Sequence, residues 1–139
     1  MPFQASENML REQGRLAEVD GQPTYSFAES AKNDLAVMLR CCEAETANYW
    51  RQPKGHRLSA APFYFERAAI LLRKQRRYAE ELAVCEAWRS IIEDYQSQPS
   101  VQAGRMALAH KGPRSIKILE RMDKAKALNQ KQFNISSGQ

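Results

Sequence analysis

Residues 62–95 read PFYFERAAILLRKQRRYAEELAVCEAWRSIIEDY, two apolar series on either side of a polar, basic centre. Within each series the apolar positions step by three or four residues. They are Phe65, Ala68, Ala69 and Leu72 in the first series, where Ala68 and Ala69 are adjacent and follow Phe65 by three and four residues, and Tyr78, Leu82, Cys85, Trp88, Ile92 and Tyr95 in the second. This spacing places side chains on one face of an α-helix, so both halves are amphipathic. We therefore predict two antiparallel helices joined by a tight turn near Gln75-Arg76-Arg77.

This hairpin resembles the tetratricopeptide repeat (TPR), a helical hairpin of about 34 residues. With Tyr78 aligned to the aromatic that opens the second helix of the repeat, Phe65 takes its tryptophan position and Ala69 its small central position. Glu81 and Trp88 depart from the repeat, which has small residues at both positions. No second copy of the repeat is visible at the same period. A generic αα-hairpin has the same apolar periodicity, so it is the alternative to a repeat of this family.

The flanking segments predict further helices. Ser26 and Glu29 have capping-box spacing, and an apolar stripe then runs to about Gln52, where Pro53 ends the helix. Ser59 is a candidate N-cap for the hairpin, and Pro62 suits its first turn. Downstream, the sequence predicts a short helix from Pro99 through Leu108 and a last helix from about Arg114 to Gln130. Trp88 should be buried at the seam between the hairpin and the first long helix.

These elements predict an all-α fold, a small bundle of four to six helices around the central TPR-like αα-hairpin. Residues 1–130 should form one helical domain, and residues 131–139 a flexible tail. Residues 1–25 leave two alternatives open, which are a short helix that starts at Ser6 and a hairpin across Asp20-Gly21.

Positive charge is concentrated in the C-terminal third of the chain. Residues 96–139 hold 8 Lys/Arg and 2 Asp/Glu, whereas residues 1–95 hold 13 and 14, so the net charge of +5 comes from the end of the chain. Four cations step by three, four and three along one side of the last helix, at Arg114, Lys117, Arg121 and Lys124. A second cluster, Arg73 to Arg77, occupies the hairpin turn. Both are candidate anion-binding surfaces, and a solvated helix face is the alternative.

Catalytic and metal-binding chemistry has little support in the sequence. The chain has two histidines and three cysteines, and none of them has a metal-ligand spacing. Cys41, Cys42 and Cys85 should be buried structural residues, and Glu80-Glu81 should form salt bridges with Arg76 or Arg77. No glycine-rich phosphate loop or nucleophile elbow is present. We therefore expect a non-enzymatic protein without cofactor, metal or catalytic residues.

Two function classes remain, and the first is a protein-interaction module or adaptor. The TPR resemblance implies that a protein or peptide partner contacts the outward residues of the hairpin, Glu66, Ile70, Arg73, Lys74 and Arg77. Trp50, Phe63 and Tyr64 exceed what one small core needs, which favours a homodimer or an obligate partner. The second class is a small basic accessory protein that binds nucleic acid through Arg114, Lys117, Arg121 and Lys124. Without a signal peptide, a long apolar run or an even number of cysteines, we expect a cytoplasmic protein that does not bind membranes.

Overall fold

The computed structural model describes residues 16–136, and this part of the chain confirms the all-α prediction. It contains five α-helices, which are α1 (Leu35–Arg51), α2 (Phe63–Lys74), α3 (Tyr78–Ser97), α4 (Pro99–Gln102) and α5 (Pro113–Ser136). Two short 3₁₀ turns, Thr24–Phe27 and Ala109–Lys111, precede α1 and α5. Within the same residues, none of the helices is both long enough and apolar enough to cross a membrane.

A small hairpin precedes the bundle. Strands β1 (Glu18–Val19) and β2 (Gln22–Pro23) pair antiparallel across Asp20-Gly21. Both turn residues have positive φ, 52° at Asp20 and 76° at Gly21, as a two-residue hairpin turn requires. The hairpin alternative is therefore confirmed here, whereas the helix predicted from Ser6 lies almost entirely outside the described residues.

The start of α1 differs from the prediction. Asp34, and not Ser26, is its N-cap, because the Asp34 carboxylate accepts a hydrogen bond from the Val37 amide at 3.2 Å. A tertiary contact accounts for the difference. Arg67 of α2 donates to the carbonyl of Lys32 at 3.0 Å and to the Asn33 side chain at 2.6 Å, which ties the preceding residues to α2. The predicted end holds, because α1 stops at Arg51 before Gln52 and Pro53.

The αα-hairpin turn lies where we predicted it, between Lys74 and Tyr78. Arg76 has φ 59°, and the amides of Arg76 and Arg77 donate to the carbonyls of Arg73 and Leu72 at 2.9 and 3.0 Å. This is the Schellman ending of a helix, at a position that usually holds glycine. The predicted N-cap at Ser59 is wrong, because its hydroxyl donates to the Ala60 carbonyl and Pro62 directly precedes α2.

The core surrounds α2, which packs against α1, α3 and α5. Phe65, Leu72, Cys85 and Trp88 are fully buried as predicted, whereas Tyr78 and Leu82 are half-buried. Trp88 was predicted to lie between the hairpin and α1, and the structure corrects this position. Its indole packs on Phe65 with 5.2 Å between ring centroids, and its Nε1 donates to Ser115 Oγ of α5 at 2.9 Å. The last helix therefore covers Trp88, since α5 folds back onto α3.

Two helix ends in the C-terminal third also differ from the prediction. The helix that begins at Pro99 ends at Gln102, because Gly104 adopts φ 75° and a Schellman ending forms there. The last helix continues from Gln130 to Ser136, so the first residues of the predicted tail, 131–136, are helical.

Candidate functional site

An open groove of about 550 Å³ runs between α1 and α3. Its α1 wall contains Leu39, Cys42, Thr46 and Ala47, and its α3 wall contains Ala83, Val84 and Ala87. Phe65 of α2 forms the floor. The groove exists because α1 and α3 both pack on α2 while small side chains face each other across the gap. Most of this lining is apolar and partly accessible.

The two helices run in the same direction and meet at their C-terminal ends. There the Tyr49 hydroxyl of α1 donates to Asp94 Oδ2 of α3 at 2.7 Å. Burial, and then this hydrogen bond to a carboxylate, raise the pKa of Tyr49. The contact joins α1 to α3 beyond the C-terminal end of the groove lining.

Arg57, in the connector between α1 and α2, reinforces this end. Its Nη1 donates to Asp94 at 3.1 Å, and its guanidinium lies over the rings of Tyr49 and Trp50 at 5.7 and 5.0 Å. The Gln98 side chain holds the Arg57 backbone through two hydrogen bonds, of 2.6 and 2.9 Å. The sequence does not predict this cluster, since no local pattern links residue 57 to residues 94 and 98.

Trp50 lies next to this cluster, one turn beyond the groove lining on α1. It follows Thr46 by four residues and Glu43 by seven, so it shares the groove face of α1. Its side chain remains 41% exposed. Of the three aromatics predicted to be surplus to the core, Tyr64 is buried and Phe63 is half-buried beneath Arg114, whose guanidinium lies 5.2 Å from the ring centroid. Trp50 is the one that the structure leaves accessible beside an apolar groove.

The three cysteines are free and buried, as predicted. Burial raises the pKa of Cys41 to about 11 and that of Cys85 to about 12, and it also raises the pKa of Cys42. Protonated thiols are poor nucleophiles and poor metal ligands, although Cys42 lines the groove. Among residues 16–136, no cluster of three or more His, Cys, Asp or Glu side chains is arranged to hold a metal ion.

Two carboxylates border the groove, Glu43 on α1 and Glu80 on α3. Glu80 accepts two hydrogen bonds from Arg77, at 2.8 and 2.5 Å, and this partner lowers its pKa. Glu43 forms no salt bridge with any described residue. The entrance of the groove therefore has an acidic side chain that no salt bridge with residues 16–136 neutralises, although Arg40 on the preceding turn of α1 interacts with it electrostatically.

The neighbouring Glu81 has a different environment from the predicted one. It is fully buried, and it pairs with Arg73 at 2.8 Å and Arg121 at 3.2 Å, not with Arg76 or Arg77. One residue along a helix turns the side chain by about 100°, which carries Glu81 inward while Glu80 faces solvent. This cluster joins α2, α3 and α5, because Arg73 belongs to α2, Glu81 to α3 and Arg121 to α5.

The five residues predicted to bind a partner are spread over two environments. Glu66 lies 3.6 Å from Arg114 of α5, and Arg73 donates to the Arg121 carbonyl at 3.3 Å. These two side chains therefore contact the last helix of the same chain. Ile70 is half-buried, Lys74 is exposed, and Arg77 pairs with Glu80. That this face binds a partner remains a prediction.

The four cations predicted on the last helix divide in the same way. Arg114 and Arg121 pair with Glu66 and Glu81. Lys117 and Lys124 are exposed and form no salt bridge with the described residues.

The comparisons with known proteins place the chain in no group, since no family model, no curated protein and no solved structure matches it.

Proposed function

We propose that this protein is a non-enzymatic interaction module that binds an amphipathic helix of another protein in the groove between α1 and α3. The observation that carries the proposal is the groove itself, an apolar surface on the same face of α1 as the exposed Trp50. Helices of partner proteins commonly lay their apolar face into such grooves through anchors at positions i, i+4 and i+7.

The dimensions of the groove support a helix as its occupant. From Leu39 to Trp50 the α1 wall covers about three helical turns, or about 16 Å. Ala47, Ala83 and Ala87 are small, so the space between the walls accepts large apolar side chains from the partner. An aromatic at the end of such a groove is typical of the residues that dominate binding energy.

The acidic side chains at the groove entrance indicate which charge the partner helix should carry. Glu43 forms no salt bridge with any of residues 16–136, and Glu80 borders the groove from the other wall. A basic residue on the flank of the incoming helix would complement Glu43, whereas an acidic residue would be repelled. We therefore expect a partner helix with Leu or Phe anchors and Lys or Arg beside them.

This proposal retains an interaction function of the kind that the TPR resemblance implies but moves the binding surface. The face with Glu66 and Arg73 contacts α5, whereas the groove is open to solvent.

Three buried free thiols favour a reducing compartment, so we propose that the module acts in the cytoplasm.

A peptide selection tests the proposal. The probe is a library of amphipathic helices of about 15 residues with Leu or Phe anchors and variable flanking residues. We expect selection of Lys or Arg at the flanks and a change in Trp50 fluorescence on binding. Ala83→Glu, inside the groove, should abolish binding. Ala79→Glu is the matched control, since Ala79 is exposed on the same helix but does not line the groove. Equal binding by both variants, or no preference for basic flanks, would overturn the proposal.

A mass measurement in solution separates a foreign helix from a second copy of this chain. We expect the protein without peptide to have the mass of one chain. A dimer that Ala83→Glu dissociates and Ala79→Glu preserves would show that a second copy occupies the groove, and it would overturn the proposal of a foreign partner.

A further inference from the structure

The exposed lysines of α5 form a longer row than the sequence suggested. Lys117, Lys124 and Lys131 follow one another at intervals of seven residues, and all three are exposed. Seven residues are close to two helical turns, so the three side chains share one flank and are about 10.5 Å apart. Lys131 belongs to the part of α5 beyond the predicted helix end, so only the structure adds it to the row.

The basic hairpin turn lies beside the C-terminal half of this row. Gln132, the neighbour of Lys131, donates its side-chain amide to the Arg76 carbonyl at 3.1 Å. Arg76 and Lys131 also line one cleft of about 440 Å³ between the turn and α5. The two basic clusters, which are some 50 residues apart in sequence, therefore meet in the folded chain.

The charges of this surface are available to a ligand. Lys74, Arg76, Lys117, Lys124 and Lys131 form no salt bridge with any of residues 16–136. Arg114 and Arg121, in contrast, are paired with Glu66 and Glu81. One carboxylate, Glu120, lies between Lys117 and Lys124 on the same flank and reduces the local positive charge without cancelling it.

We infer that Lys117, Lys124 and Lys131, with Arg76 beside them, form a binding surface for the phosphate backbone of double-stranded nucleic acid. The row spans about 21 Å, a length over which duplex DNA presents about 12 phosphate charges. Phe133 lies on a different side of α5 from the lysine row, and Tyr78, which lines the cleft with Arg76 and Lys131, is half-buried. The row therefore lacks the series of aromatic side chains on which successive bases of a single strand stack.

An anionic membrane is the competing ligand for a basic helix. An interfacial helix inserts a broad apolar face next to its cations. The apolar face of α5, with Ile118 and Ala125, is buried against the bundle. Leu128 and Ile135 line the cleft beside Lys131, and Ile116, Phe133 and Ile135 are exposed. These three exposed side chains project about 100° or more apart around the helix, so they do not form one broad apolar face. The chemistry of the row therefore fits phosphates in solution better than a lipid surface.

The test uses the whole protein with a duplex of about 20 base pairs, as DNA and as RNA, followed by fluorescence anisotropy. With about four phosphate contacts, affinity for the DNA duplex should fall roughly 100-fold between about 50 and 200 mM salt. Lys124→Gln/Lys131→Gln should weaken binding at least about tenfold at low salt. Lys54→Gln/Lys126→Gln removes the same charge outside the row and should change affinity by less than about threefold.

Several results would overturn the inference. They are the absence of duplex binding at low salt, an equal loss in both double variants, tighter binding to single strands, and binding to anionic phospholipid vesicles in place of duplexes. Circular dichroism should show unchanged helix content in both variants, because all four lysines are exposed. The groove variant Ala83→Glu should bind duplexes normally, which separates failure of this inference from failure of the groove proposal.

Discussion

The indole of Trp88 and the hydroxyl of Ser115 are both fully buried, and Trp88 Nε1 donates to Ser115 Oγ at 2.9 Å. This bond links α3 to the first turn of α5. Because an indole N–H needs an acceptor when it is buried, Ser115 allows the largest side chain of the core to lie at this helix contact.

We predict that removing either partner destabilises the fold by a different amount. Trp88→Ala should lower the free energy of unfolding by about 3–5 kcal/mol, because it leaves a large cavity. Ser115→Ala should cost about 1–3 kcal/mol, because it leaves the indole N–H without an acceptor. Urea denaturation followed by circular dichroism measures both. A loss below about 1 kcal/mol for Trp88→Ala would contradict the observed burial.

The buried cluster of Glu81 with Arg73 and Arg121 provides a second prediction. Replacing both arginines by Met leaves a buried carboxylate without a cation and should cost about 3–5 kcal/mol. Adding Glu81→Met removes the stranded charge and should recover most of this loss, because apolar replacement of a whole buried cluster is nearly neutral. Urea denaturation of the double and triple variants measures which of the two has the higher free energy of unfolding. A triple variant less stable than the double variant would contradict this account.

Arg76 provides a stabilising prediction. Its φ of 59° is unfavourable for a side chain with a Cβ atom and is the conformation that glycine adopts at helix ends. Arg76→Gly should raise the free energy of unfolding by about 1 kcal/mol, measured as a higher thermal midpoint. Lys74→Gly, within α2, is the control and should destabilise by a similar amount. An unchanged or lower midpoint for Arg76→Gly would show that its side-chain contacts outweigh the backbone strain.

Glu45 predicts a pH dependence of stability. Burial raises the pKa of its carboxyl, although hydrogen bonds from the Ala61 amide at 2.9 Å and the Thr24 hydroxyl at 2.7 Å oppose the shift. The folded state therefore holds this proton more tightly than the unfolded state. The resulting stability is present below about pH 4.3 and is lost as pH rises through the raised pKa.

The matched variant is Glu45→Gln, which does not titrate. The free energy of unfolding of the unchanged protein, relative to Glu45→Gln, should decrease as the pH rises above about 4.3, the ordinary pKa of a Glu carboxyl. Urea denaturation at several pH values measures this difference. A difference that increases with pH would show that the two hydrogen bonds dominate over burial.

The accuracy of the sequence predictions follows the range of the interactions involved. The turn at Arg76 and the end of α1 before Pro53 depend on neighbouring residues, and both were predicted. Ser26 and Glu29 also formed a valid local signal, but Arg67, a distant residue, ties down the segment before Asp34 and moves the helix start. The groove was not predicted, since it depends on the distance between two helices that do not follow each other directly in the chain.

The sequence by itself determined that this protein is a small all-α bundle around an αα-hairpin, and it identified most of the buried face. Helical periodicity, prolines and glycines act within a few residues, so they can be read directly from the chain. Only the tertiary structure decided which charges are neutralised and which stay free. Glu81 and Arg121 are 40 residues apart and form a buried pair, whereas Lys124 and Lys131 remain in solvent. Charge pairing depends on distances of a few ångströms between helices, and these distances are set by how the whole core packs.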